Sequence, residues 1–164
     1  MRSIILGSNT FKDILDCKRI RIRKALELFE EAAELDSKEA LYSLGSMYYH
    51  GEGVEQDKEK GSEFYKKAAM QGCVTSRYNV AMIEKNKGNW NSALKHLLIS
   101  AKMGYKESIV KIKDIFMAGA ATKEQYTDAL RGYQNAVEEM KSHDRDEAKR
   151  LGYWKGKNRC INQV

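Results

Sequence analysis

A pair of small residues recurs along this chain at nearly constant spacing, and no other feature constrains its fold so tightly. Ala32-Ala33, Ala68-Ala69, Ser100-Ala101 and Ala136-Val137 follow one another at intervals of 36, 32 and 36 residues. Anchors upstream keep the same register: Ala25, Gly61, Ala93 and Ala129 are equivalent, as are Phe29, Tyr65, Leu97 and Tyr133. Self-similarity with a period in this range is the mark of an array of small units. None of them can bury its apolar face alone, so neighbours must stack.

Each unit resolves into two helical segments. In the first, residues 40–50, Ala40, Leu44 and Tyr48 repeat at i, i+4 and i+8, the stripe of an amphipathic helix. The second, residues 58–71, sets Gly61, Tyr65, Ala68 and Ala69 on one face and closes at Gly72, as a left-handed helix cap does. Gly51 and Gly53 between them take positive φ at little cost, so the chain can reverse; "NKGNWNSA" does the same in fewer residues, with Trp90 as a plug. Gly45 costs helix propensity, and a close crossing of the two helices offsets it. Its equivalents are Ala81 and Lys113, which implies looser or differently angled packing in the last unit.

The 164-residue chain has no proline, 42% hydrophobic and 32% charged residues, as a helix-rich globular protein would. No apolar run reaches the roughly 18 residues of a membrane span, and the four-residue patch at Ile4, Ile5, Leu6 and Gly7 is too short for a secretory signal. Cys17, Cys73 and Cys160 are odd in number and without a C-x-x-C pair, so they read as reduced thiols in a cytoplasmic or nuclear setting, not as a metal site. The net charge of +6 belongs to the ends: residues 1–24 and 141–164 together carry +9, leaving −3 for the middle. Such ends fit nucleic acid or anionic lipid as well as plain solvation.

The stretch "ALYSLGSMYYHGEGVEQDKEKGSEFYKKAAMQG", residues 40–72, resembles the Sel-one-like repeat (SLR), a relative of the tetratricopeptide repeat. Ala40, Tyr42, Leu44, Gly45, Tyr48, Gly51, Gly53, Val54, Asp57, Lys60, Tyr65, Ala68, Ala69 and Gly72 match the family motif, while Gly61 stands where the family prefers alanine. The resemblance implies an all-α, right-handed α-α superhelix of about three and a half stacked antiparallel hairpins. Residues 1–36 are then a degenerate or clipped first repeat, with Leu6-Gly7-Ser8 echoing Leu44-Gly45-Ser46 and a second helix beginning near Lys24. Residues 37–72 form a full repeat, 73–104 a short one, 105–141 a divergent C-terminal repeat or cap, and 142–164 a basic tail. "ATKEQYTDALRGYQ" followed by "KSHDRDEA" is similar to algal-protist members, which often carry a zinc-binding RING finger ahead of the repeats; the eight paired Cys/His ligands of such a finger are absent here.

Nothing in the sequence converges on chemistry. His50, His96 and His143 stand apart, without a cysteine or carboxylate at nucleophile or metal spacing. Glu30-Glu31 and Glu138-Glu139 are neighbours on helices and diverge by about 100°. "HGEGVE" lacks the third glycine and the lysine of a phosphate loop. We therefore expect no catalytic, cofactor-binding or metal-binding residues, no cofactor, and a non-enzymatic scaffold or adaptor for a partner protein or peptide. The concave face of such an array is built from first helices. At about 100° per residue, Ser43, Ser46 and His50 fall outside the packed arc, and so do their equivalents Asn79, Met82 and Asn86, then Lys111, Asp114 and Ala118. That row is the expected binding face. The alternatives are a nucleic-acid binder using its basic tail, where Trp154 lies among basic residues, and the substrate-recruiting part of a ubiquitin-ligase-type assembly; an enzyme is the remotest reading. The apolar start Ile4-Ile5-Leu6 is a poor cap for an array, which points to a missing upstream segment or a dimer contact.

Overall fold

The computed structural model describes residues 9–141 together with Glu147, Arg150 and Leu151. Leu6-Gly7-Ser8, the Ile4-Ile5-Leu6 start, His143, Trp154, Cys160 and most of the basic tail lie outside the described residues. Seven helices make up the described chain: α1 Asn9–Glu34, α2 Lys38–His50, α3 Lys58–Met70, α4 Val74–Asn86, α5 Trp90–Lys102, α6 Lys106–Met117 and α7 Lys123–Met140. No strand occurs among the described residues, and the class is all-α. The chain divides into two compact units, the first ending at Phe64 and the second beginning at Tyr65, within α3.

The recurring small pairs have a backbone role that the pattern alone does not reveal. Helix ends leave carbonyls without partners, and the first three of these pairs supply carbonyls that are closed. Asp36 N–H donates to Ala33 O and Ser37 N–H to Ala32 O; Gly72 and Cys73 do the same for Ala69 and Ala68, and Gly104 and Tyr105 for Ala101 and Ser100. Each is a Schellman turn, with the capping residue in the left-handed region at φ 58, 84 and 84°. The turn leads directly into the next helix, so consecutive helices reverse within three or four residues.

In the first unit α1 packs against α2. The first repeat is not a hairpin within the described residues: α1 runs unbroken for 26 residues from Asn9, with no start near Lys24. Basic residues and isoleucines alternate through "KRIRIRK", and no glycine or proline interrupts them, so nothing local stops the helix. Ser37 caps α2, its side chain accepting from Ala40 N–H. Leu41 and Leu44 are buried, and Gly45 with them. The close approach of helix backbones lies at Gly61, where an added Cβ would stand 2.6 Å from Tyr49 N and 2.8 Å from Tyr49 Cα. Tyr48 stacks on Phe64 beside it, centroids 5.7 Å apart.

In the second unit α4 and α5 form a hairpin, α5 packs on α6 and α7, and α6 on α7. Ala81, Leu94, Leu97, Ala101, Ile112, Ile115 and Ala129 make one apolar core. Burying side chains of the size of Leu97 or Ile112 contributes about 2 kcal/mol each. Equivalent positions share burial across the repeats: Leu44, Val80 and Ile112 are buried, as are Met47, Ile83 and Ile115. Lys113, by contrast, is exposed where Gly45 and Ala81 are buried, so the last first-helix offers no small surface there. Where serine replaces alanine in the core, Ser100 and Ser108 hydrogen-bond each other and Ser100 donates to Leu97 O at 3.0 Å, so neither hydroxyl is left bare. Arg77 of α4 reaches back to Ala69 O at 2.6 Å, fastening the last turn of α3.

Candidate protein-binding face

The loop of the full repeat shows what its motif residues do. Gly51 and Gly53 adopt φ 75 and 78°, and a side chain at Gly53 would collide with Ile22 of α1. Asp57 N–H donates to Tyr48 O at 2.8 Å and Gln56 Nε2 to Tyr49 O at 3.0 Å, closing carbonyls at the end of α2. The Asp57 carboxylate then caps α3, accepting from Lys60 N–H at 2.9 Å. Lys60 in turn lays its ammonium 3.8 Å from the centre of the Tyr48 ring. Tyr48, Gln56, Asp57 and Lys60, with Glu55 and Glu59, line a cleft of about 520 Å³. Motif glycines, Asp57 and Lys60 are thus spent on building the hairpin.

The expected face can be followed within each unit. On α2, Ser43 is half-buried and donates to Glu39 O at 3.0 Å, a bond within its own helix. Ser46 is half-buried, and His50, the last residue of α2, is exposed with its ring edge-on to Tyr49. In the second unit Asn79 is half-buried and Asn86 exposed at the end of α4. Met82 is half-buried and packs against the core, so only part of it faces outward. Lys111 and Asp114 of α6 are brought together as an ion pair of 3.3 Å, and Ala118 is exposed.

Two further residues belong to this patch. Tyr78 of α4 is half-buried, its ring 5.3 Å from that of Tyr105. Burial pushes its phenol above the ordinary value; Lys111 opposes that, while Glu107 and Asp114 add to it. α4 therefore adjoins the charged surface of α6 at Tyr78, with Glu107 as a second carboxylate. Part of the Tyr78 side chain also packs against the apolar core. Trp90 is likewise on the surface, 40% exposed with Lys85 5.9 Å from its ring centre. It does not plug the short α4–α5 turn, because Gly88 and Asn89 close that turn by backbone bonds to Lys85 and Glu84.

Among the described residues no group of three or more His, Cys, Asp or Glu is placed to hold a metal ion. Cys73 is a buried free thiol accepting from Ser76 Oγ at 3.2 Å. No helix among the described residues is long and apolar enough to cross a membrane.

The Sel1 repeat model matches residues 21–37 and 38–73. Among solved structures, the chain is similar to c5321, a protective antigen present in uropathogenic Escherichia coli strains displaying an SLR fold, at 28% identity and a TM-score of 0.57 over 77% of this chain. It is also similar to a Sel1 repeat protein from Oxalobacter formigenes at 23% identity and a TM-score of 0.54 over 89% of this chain, a likeness of fold. The chain spans 27% and 63% of the lengths of these two proteins. The Sel1 likeness thus rests on two repeat matches between residues 21 and 73 and on a fold similar to these two structures.

Proposed function

We propose that this chain is a non-catalytic scaffold that holds a partner protein or peptide on exposed positions of its first helices, those of α4 and α6 forming one face of the second unit. Sel1 repeat proteins are generally scaffolds of this kind and typically not catalysts. The observation that carries the reading is how the repeat's residues are employed. The apolar and small motif positions go into cores and caps, whereas Asn79, Asn86, Lys111 and Asp114 support neither. Recognition on such a face rests on shape and polar contacts, with the Lys111–Asp114 pair and the Tyr78 phenol as its charged and aromatic elements.

The test substitutes Asn79, Lys111 and Asp114 together by alanine in the full chain and leaves Met82, which the core uses. Partners captured by wild-type and variant baits are compared by quantitative mass spectrometry. The expected result is at least a tenfold loss of the specific partner at unchanged helical circular dichroism. Retention of that partner by the folded variant would show that the face lies elsewhere.

A further inference from the structure

α1 carries an apolar stripe that stays exposed among the described residues. Ile20 is 68% exposed, Leu28 55% and Leu35, just past the helix end, 84%. At about 100° per residue these three fall within roughly 80° of one another, opposite the half-buried side formed by Ile22, Leu26, Phe29 and Ala33. Lys24 and Glu31, both exposed, lie in the same stripe between them. The residues from Lys24 onward, Lys24, Leu28, Glu31 and Leu35, are spaced four, three and four apart, the interval of a helix-pairing seam.

The charges along this stripe choose the occupant. Lys24 stands in its first half and Glu31 in its second, nearly equidistant from the Glu27–Leu28 peptide bond. A two-fold axis through that bond sets Lys24 of one copy against Glu31 of the next, and Ile20 against Leu35, twice over. Parallel pairing would instead set Lys24 against Lys24 and Glu31 against Glu31. We infer that α1 is a self-association surface, and that it pairs antiparallel with α1 of a second copy of this chain. Ile20 to Leu35 spans about 22 Å of helix, a contact on the small side for a protein interface. The dimer is accordingly a weak one, formed in the micromolar range. This interface uses none of the residues proposed to bind a partner and stands or falls without them.

Sedimentation equilibrium on the full chain tests the pairing with three surface variants: Lys24→Glu, Glu31→Lys and the two combined. Both side chains are exposed, so circular dichroism should not change. Each single change places like charges at both ends of the antiparallel pair and should raise the dimer Kd about tenfold or more. The double exchange restores opposite charges and should return Kd to within about threefold of wild type. A chain that stays monomeric up to about 500 µM would overturn the proposal. So would a dimer whose Kd ignores both single changes, since parallel pairing or contact elsewhere would then explain it.

Discussion

Gly61→Ala sets helix propensity against packing at a position where the two predict opposite signs. Alanine inside a helix is worth about 1 kcal/mol over glycine, and by that measure the variant is stabilised. The structure says otherwise. The new methyl would stand 2.6 Å from Tyr49 N and 2.8 Å from both Tyr49 Cα and Cβ, whereas carbons in contact sit about 3.5–4.0 Å apart. Two of those three atoms are backbone, so relief requires α2 and α3 to part by about 1 Å. That movement loosens the Tyr48–Phe64 stack and the Lys60 contact on the Tyr48 ring. Overpacking of this kind costs about 1–3 kcal/mol, leaving a net destabilisation of up to about 2 kcal/mol once propensity is credited.

For a chain of this size the melting temperature should fall by up to about 6 °C. Gly132→Ala is the control. Its methyl would meet Lys102 Cγ at 2.6 Å, the stem of a half-exposed side chain that can swing aside. Moving it forfeits at most the solvent-exposed ion pair with Asp128, a screened contact of little weight, so the melting temperature should stay close to wild type. Thermal unfolding followed at 222 nm reads both variants. A Gly61→Ala protein that melts above wild type would refute the close crossing.

Asp36 holds the left-handed capping position that Gly72 and Gly104 fill elsewhere, and a non-glycine residue there costs about 1 kcal/mol. Asp36→Gly should therefore raise the free energy of unfolding in urea by up to about that amount, and a loss would mean the aspartate makes up its strain through other contacts. His96 on α5 has a buried Nδ1 without a hydrogen-bond partner among the described residues. Burial holds its pKa below the ordinary value, Arg77 and Lys66 push the same way, and Glu84 opposes them. The folded state thus binds fewer protons than the unfolded one, so this contribution is whole above about pH 6.5 and is lost as pH falls below it. Between about pH 7.5 and 5.5 wild type should lose more melting temperature than His96→Gln; equal losses would remove His96 as the cause.

Spacing alone disclosed the two-helix unit, the 36- and 32-residue intervals and the small pair at each second-helix end, because 3.6-residue periodicity and glycine caps are local physics. Capping was legible to the residue at Gly72. Other points were not. Gly61 stood out in sequence only as a departure from the motif's alanine, yet it meets the Tyr49 backbone, since which small residue meets a partner depends on where two helices cross.

From sequence alone follow helices, turns and the register in which they recur, all consequences of contacts a few residues apart. The tertiary structure decided the rest: that the Lys60 ammonium lies on the Tyr48 ring, and that Ile20, Leu28 and Leu35 stay exposed among the described residues. Those outcomes depend on which surfaces meet, and burial is a property of the assembled chain that no single helix carries.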